Sequence, residues 1–156
     1  MSDTGTHHYH AVCDWTGSTG AGYEQYTRDH SLQARPAPVT IAASSDPAFR
    51  GDPARLNPEQ LLVMAAASCQ MLSFLAIAAR KRVDVVAYHD EAEGVMPDAD
   101  KPVRITRIVL KPRIVIAGAM VREKVDAMIE LAHQHCFIAN SLKSGITIEA
   151  RIEFRA

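Results

Sequence analysis

From Leu61 to Ala79 the chain carries no charged residue, and Arg80, Lys81 and Arg82 follow at once. The run sits inside NPEQLLVMAAASCQMLSFLAIAARKR, Asn57 to Arg82. Its length narrowly meets what a membrane-spanning helix needs. Its composition argues against a span. Much of it is Ala and Ser, which gain little from lipid, and Gln70 puts an amide near the centre, where it is costly. A helix apolar all round is also the central buried helix of a globular domain or a dimer. The strand-like character of the rest of the chain favours that second reading. The start is well marked. Asn57 can cap, Pro58 suits the first helical position, and Gln60 completes a capping-box pattern. Glu59 falls in the first turn, where the helix dipole favours a carboxylate.

With 156 residues the chain is long enough to bury a proper core, and one domain, 1–156, is expected. An apolar fraction of 47% with 22% charged residues is ordinary for a soluble globular protein. A net charge of −1 argues against nucleic acid or an anionic membrane as a partner, since both favour a basic surface. MSDTGTHHYH has neither a basic nor an apolar segment of a secretory signal, so a reducing, cytoplasmic setting is expected. Three cysteines there are too few for a disulfide scaffold.

Alternation predicts a strand over His8–Trp15, with Tyr9, Ala11, Cys13 and Trp15 on one face, and Cys13 is read as core. Gly17–Gly22 is a turn, Tyr23–His30 can return as a strand, and Val39–Ala43 is a third. Ser44–Leu56 is a loop into the helix. Beyond it, Val83–Glu93 and Val103–Ala117 read as strands, with Pro112 marking an edge or a break. Met120–Gln134 is a second helix with an apolar stripe of Val121, Val125, Met128, Ile129 and Ala132. Ile146–Phe154 alternates as a last strand. Strands grouped before a helix, twice over, imply an α+β fold with antiparallel sheets on two main helices.

Burial is the commonest fate of a free cysteine, and Cys69 and Cys136 can be read so. Chemistry at Cys69 needs three conditions. The thiol must be reachable, and a cation must hold it as thiolate, the attacking form. A second thiol must close on the sulfenic acid that a peroxide leaves. Cys136, in HQHCFIANSL at a helix end, meets the last condition in type. Arg28, Arg35, Arg50 and Arg55 precede the helix, and a carboxylate such as Glu59 could grip one of them. His133, His135 and Cys136 make a weak metal set without a fourth ligand, so no metal is assigned. No cofactor is assigned either, because no phosphate loop or dinucleotide fingerprint occurs.

NPEQLLVMAAASC, Asn57 to Cys69, resembles the N-P-E-E/Q-L-…-C motif of the OsmC/Ohr family, the osmotically inducible and organic hydroperoxide resistance proteins. The ten-residue step from Glu59 to Cys69 is part of the match. AHQHCFIANS resembles the family's second cysteine segment. The resemblance implies a thiol peroxidase in an entwined homodimer with its long helices buried centrally. Cys69 would attack an organic or lipid hydroperoxide, and Cys136 would resolve the sulfenic acid as a disulfide. Glu59 would orient an arginine. A dithiol, of the kind a lipoylated protein carries, would be the reductant. Arg50, in AFRGD shortly before Glu59, is the arginine chosen, with Arg28 in YTRDH as the alternative. A non-enzymatic binder or thiol sensor of the same fold is the rival reading.

Overall fold

The computed structural model describes residues 5–156. The chain forms two compact units, Met1–Pro58 and Glu59–Ala156.

In the first unit, β1 (Val12–Asp14), β2 (His30–Gln33) and β3 (Thr40–Ala43) form an antiparallel meander. Cys13 stands opposite Leu32, which stands opposite Ile41. The expected second strand starts seven residues late, because Tyr23–Asp29 is used otherwise. Trp15 packs edge-on to Tyr26 at 6.1 Å, and Tyr23 does the same at 6.2 Å. The Arg28 guanidinium lies over both tyrosine rings, 3.8 Å from the Tyr26 centroid. Cys13 is not core. Its strand is a three-residue sheet edge with every residue exposed.

The segment after β3 is more ordered than a connecting loop. Asp46 Oδ1 accepts from Ala48 N at 2.7 Å and starts a 3₁₀ turn, Pro47–Phe49. Arg50 closes that turn in the left-handed region at φ 68°. Gly51 must be glycine, since a Cβ there would sit 1.6 Å from the Ser45 carbonyl oxygen. Ser44 is fully buried, and its Oγ accepts from Asp52 N at 3.1 Å.

α1 (Pro58–Arg80) starts where Pro58 and the first-turn Glu59 say it should. By length and composition alone it could cross a membrane. Its apolar residues are used differently. Ala66, Gln70, Phe74, Ile77 and Ala78 recur at helical spacing and are buried in protein. The opposite stripe, Met64, Ser68, Leu72 and Ala76, is exposed, Leu72 by 59% and Met64 by 52%.

Each of the three strands expected beyond α1 is interrupted, and the first runs on past Glu93 to Val95. They become β4 (Val85–Asp90) and β5 (Glu93–Val95), β6 (Arg107–Leu110) and β7 (Pro112–Ala117), β8 (Gly145–Ile148) and β9 (Arg151–Arg155). The breaks are level with one another. Asp90 pairs with Pro112, and Leu110 pairs with Ile148. The result is two three-stranded sheets, β4-β7-β9 and β5-β6-β8. Pro112 has no N–H to donate, so it sits at the start of β7. Asp90 Oδ1 takes the Lys111 N–H at 2.7 Å across the break. Lys111 Nζ reaches Glu93 at 2.9 Å, and Arg113 makes a two-pronged pair with Glu153 at 2.7 Å.

The sheets are mixed rather than purely antiparallel. β8 runs parallel to β6, and β9 runs parallel to β7. Between them lie α2 (Arg122–Gln134) and α3 (Phe137–Ser141), a helical crossover that returns the chain in the same direction. Val125, Met128, Ile129 and Ala132 are buried as the stripe predicts. Val121 is exposed instead, because it is the extended residue before the first turn. Phe74, Ile77 and Ala78 of α1 meet Ile114 and Ile116 of β7 and the α2 stripe in one buried cluster. Ala66 packs with Ile105, Ile108 and Leu110 in another.

α1 ends in a Schellman closure. Arg82 N donates to Ala79 O at 3.0 Å and Val83 N to Ala78 O at 2.9 Å, with Arg82 left-handed at φ 56°. Glycine normally takes that position. Arg82→Gly is expected to raise stability by about 0.5–1 kcal/mol in denaturant unfolding. A loss would mean that the Arg82 side chain contributes more than its backbone costs.

Candidate functional site

The buried face of α1 turns Gln70 inward, 1% exposed, and its Nε2 donates to the Ile129 carbonyl of α2 at 3.2 Å. Cys69, one residue back, lies at the edge of that face and is half-buried. Cys136 is reached from the other side. α2 ends at Gln134, His135 closes it, and Cys136 is the extended N-cap of α3. Its sulfur accepts the Ala139 N–H at 3.4 Å, the bond a serine or aspartate oxygen usually takes at an N-cap. Asn140 Nδ2 donates back to the Gln134 carbonyl at 3.0 Å and braces this turn.

The structure brings the two thiols together. Both are free, and the Cys136 side chain is within hydrogen-bonding reach of Cys69. Their environments differ. Cys136 is 1% exposed, and burial pushes its thiol above the ordinary value. The neighbouring Cys69 adds to that rise, and the Ala139 N–H opposes it without winning. Cys69 opens on a groove of about 860 Å³ whose walls include Ala65, Ser68, Leu72, Ser73, Ala76, Leu131, Phe137 and Ile138. Phe137 is 79% exposed at its rim. Among the described residues, Arg80, Lys81 and His135 are the ionisable ones lining it besides Cys69, and none of those lining residues is acidic.

Glu59 is half-buried in the first turn of α1, about 15 Å along the helix axis from Cys69. In the first unit, Arg50 is paired with Glu24 at 3.6 Å and is about half exposed. Arg28 donates to the main-chain carbonyls of Tyr26 and Tyr23 from beneath their rings. Arg55 is held between Asp29 and Asp52 at 3.2 and 3.4 Å. His133 and His135 line different hollows, His135 the groove of Cys69 and His133 a separate one beside β8. Sequence reasoning missed the groove walls. Their signal was the i, i+4 repeat Ser68, Leu72, Ala76, hidden in a helix that is apolar on every side.

A family model for OsmC-like proteins matches residues 51–151. The chain belongs to the OsmC-like family. Among solved structures, an OsmC-like protein of unknown function from Vibrio cholerae is 31% identical with a TM-score of 0.82. The alignment covers 94% of this chain and 99% of that one. An organic hydroperoxide resistance protein from Elizabethkingia anophelis shares the fold at 14% identity, with a TM-score of 0.67 over 97% of this chain and 99% of that one. A Legionella pneumophila protein titled organic hydroperoxide resistance protein OsmC does so at 13%, with a TM-score of 0.65 over 95% and 99%. No curated protein matches the chain. The OsmC-like motif residues Glu59, Cys69 and Cys136 all fall inside the matched span.

Two measurements check this geometry. The fold favours the protonated Cys136 thiol. The stability this contributes is fully present below the ordinary thiol value of 9.0 and is lost as pH rises through the raised one. The urea midpoint is expected to fall as pH rises above about 9, and Cys136→Ser to flatten that slope. A slope that survives in Cys136→Ser would remove this thiol as its source. For Gln70, Oε1 is buried with no partner. Gln70→Met is thus expected to change stability by less than about 1 kcal/mol, whereas Gln70→Ala leaves a cavity costing about 2 kcal/mol or more. Equal losses in the two variants would mean that the hydrogen bond to Ile129, not the volume, is what matters.

Proposed function

We propose that this OsmC-like protein is a cysteine-based peroxidase for organic hydroperoxides, serving oxidative-stress defence. The observation that supports it best is the thiol pair, a reachable Cys69 and a buried Cys136 within hydrogen-bonding reach, at the mouth of an apolar groove. The family match and the printed names of its hydroperoxide-resistance relatives point the same way.

The Cys69 thiolate attacks the outer oxygen of the peroxide. The S–O bond forms as the O–O bond breaks, and the leaving alkoxide takes a proton to become the alcohol. Sulfur has gone from thiolate to sulfenic acid, a two-electron oxidation. The Cys136 sulfur then attacks the Cys69 sulfur. A Cys69–Cys136 disulfide forms and hydroxide leaves as water with the Cys136 proton. A dithiol, for instance on a lipoylated protein, reduces the disulfide and takes the oxidation with it.

Arg50 is assigned the cation that stabilises the attacking thiolate, and Glu59 the carboxylate that orients it. The working unit is a homodimer of one OsmC-like domain, 1–156, in the cytoplasm. The exposed stripe Met64, Ser68, Leu72 and Ala76 faces a second copy, whose surface would complete the groove over Cys69. No cofactor, nucleic acid or membrane is part of the reading.

The test is stoichiometric oxidation of the reduced protein by cumene hydroperoxide, with thiols mapped by mass spectrometry. A Cys69–Cys136 disulfide is expected, absent in Cys69→Ser, with a trapped Cys69 sulfenic acid in Cys136→Ser. A Cys69 that stays reduced under excess peroxide would sink the enzyme and leave a binder or sensor of the same fold. Arg50→Ala is expected to slow oxidation about tenfold or more. If Arg28→Ala does so instead, the cation is Arg28.

A further inference from the structure

Two proton transfers accompany the chemistry of the thiol pair. The alkoxide that leaves the peroxide needs a proton, and Cys136 must lose one for its sulfur to attack as thiolate. Cys136 is 1% exposed, and burial holds its thiol above the ordinary value, so the second transfer needs a base within the site.

Three ionisable residues among those described line the groove with Cys69, namely Arg80, Lys81 and His135. Arg80 is eleven residues on from Cys69, about 16 Å along the axis of α1, and Lys81 follows it. Both are poor proton carriers. A guanidinium keeps its proton in proteins, and an ammonium releases one only well above neutrality. His135 differs in place and in chemistry. It belongs to the wall that α2 and α3 build, and not to the exposed stripe of α1. Its Cα is one trans-peptide step, about 3.8 Å, from that of Cys136, whose sulfur is within hydrogen-bonding reach of Cys69. An imidazole gains and loses a proton near neutrality. The backbone on both sides of it is fixed. His135 N donates to Leu131 O and Cys136 N to His133 O, each at 3.2 Å, while Asn140 Nδ2 holds the Gln134 carbonyl at 3.0 Å. The residue is exposed, so its ring exchanges protons with water.

We infer that His135 is the proton carrier of the thiol pair: its imidazolium protonates the leaving alkoxide, and the neutral ring then takes the Cys136 proton. This rests on the peroxidase reading above and adds a catalytic residue to it. The Cys69 thiolate bonds to the outer peroxide oxygen, and the O–O bond breaks with its electron pair on the alkoxide. The imidazolium proton makes the alcohol. The neutral imidazole takes the Cys136 proton, and the Cys136 sulfur bonds to the Cys69 sulfur as the S–O bond breaks. The departing hydroxide takes that proton as water. Reduction of the disulfide by the dithiol returns a thiol proton to the ring, and the cycle restarts from thiolate and imidazolium. The groups facing His135 are the two thiols and, further along the groove, Arg80 and Lys81, with no acid among the described lining residues.

The test uses the leaving group. tert-Butyl hydroperoxide releases a strongly basic alkoxide, which needs a proton, and peracetic acid releases acetate, which does not. Formation of the Cys69 sulfenic acid is timed in Cys136→Ser with and without His135→Gln. Loss of the imidazole is expected to slow oxidation by tert-butyl hydroperoxide about 100-fold, and by peracetic acid less than about threefold. With Cys136 present and peracetic acid as oxidant, His135→Gln is expected to slow disulfide formation about tenfold or more. That deficit should shrink as pH rises past the ordinary thiol value of 9.0, where hydroxide takes the Cys136 proton. Equal slowing with the two oxidants, as a general loss of structure would give, or no slowing with either, would overturn the acid role. Disulfide formation at an unchanged rate, or a deficit that ignores pH, would overturn the base role. Wild-type oxidation by cumene hydroperoxide separates these failures from failure of the peroxidase reading. If it proceeds, that reading stands without this one; if no hydroperoxide oxidises Cys69, both fall.

Discussion

The site depends on one packing contact, the face of α1 that carries Gln70, Phe74, Ile77 and Ala78 against β7 and α2. Phe74 is fully buried there, and a side chain of that size contributes roughly 2–3 kcal/mol by leaving water. The contact fixes the rotation of α1 about its own axis. That rotation decides that Gln70 points inward, that Cys69 stands at the edge, and that Leu72 points out. The same contact holds the end of α2, from which Cys136 begins the next helix. Two sulfurs 67 residues apart meet because two helices share one core.

Much of this was legible in the chain. Pro58 and Glu59 placed the start of α1, and the 3.6-residue stripe of α2 was right at four of five positions, since each local rule agreed with the tertiary packing. The family was legible from Asn57–Cys69. Of the level breaks in the three long strands, only the one at Pro112 was signalled. The other two carry no proline, and across the break Asp90 Oδ1 of one strand takes the Lys111 N–H of another. The parallel pairing of β8 and β9 was hidden for a similar reason, because strand direction follows from where α2 and α3 deliver the chain.

Cys13 shows how a sound periodicity can mislead. Alternation from His8 to Trp15 correctly groups Cys13 with Trp15, but alternation says only which residues share a face, not whether anything covers it. The aromatic residues nearby pack on one another and on Arg28 instead of on the strand. The arginine question has the same character. Arg50 and Arg28 each satisfy their charge within their own unit, with Glu24 and with tyrosine rings and carbonyls, and spacing along the chain could not rank them.

The Cys136 sulfur does two jobs, as partner of Cys69 and as the N-cap that holds the first turn of α3 through Ala139. A sulfur turned toward a disulfide cannot keep the same alignment with that N–H. Loss of an N-cap bond weakens a helix by about 1 kcal/mol, and α3 is only five residues long. Oxidation would therefore be felt as fraying of Phe137–Ser141, at the rim of the groove where Phe137 already stands in solvent. In the proposed cycle the redox state of the thiol pair and the order of the groove wall would be one coupled equilibrium, and anything that steadies that wall would bias the pair toward its reduced form.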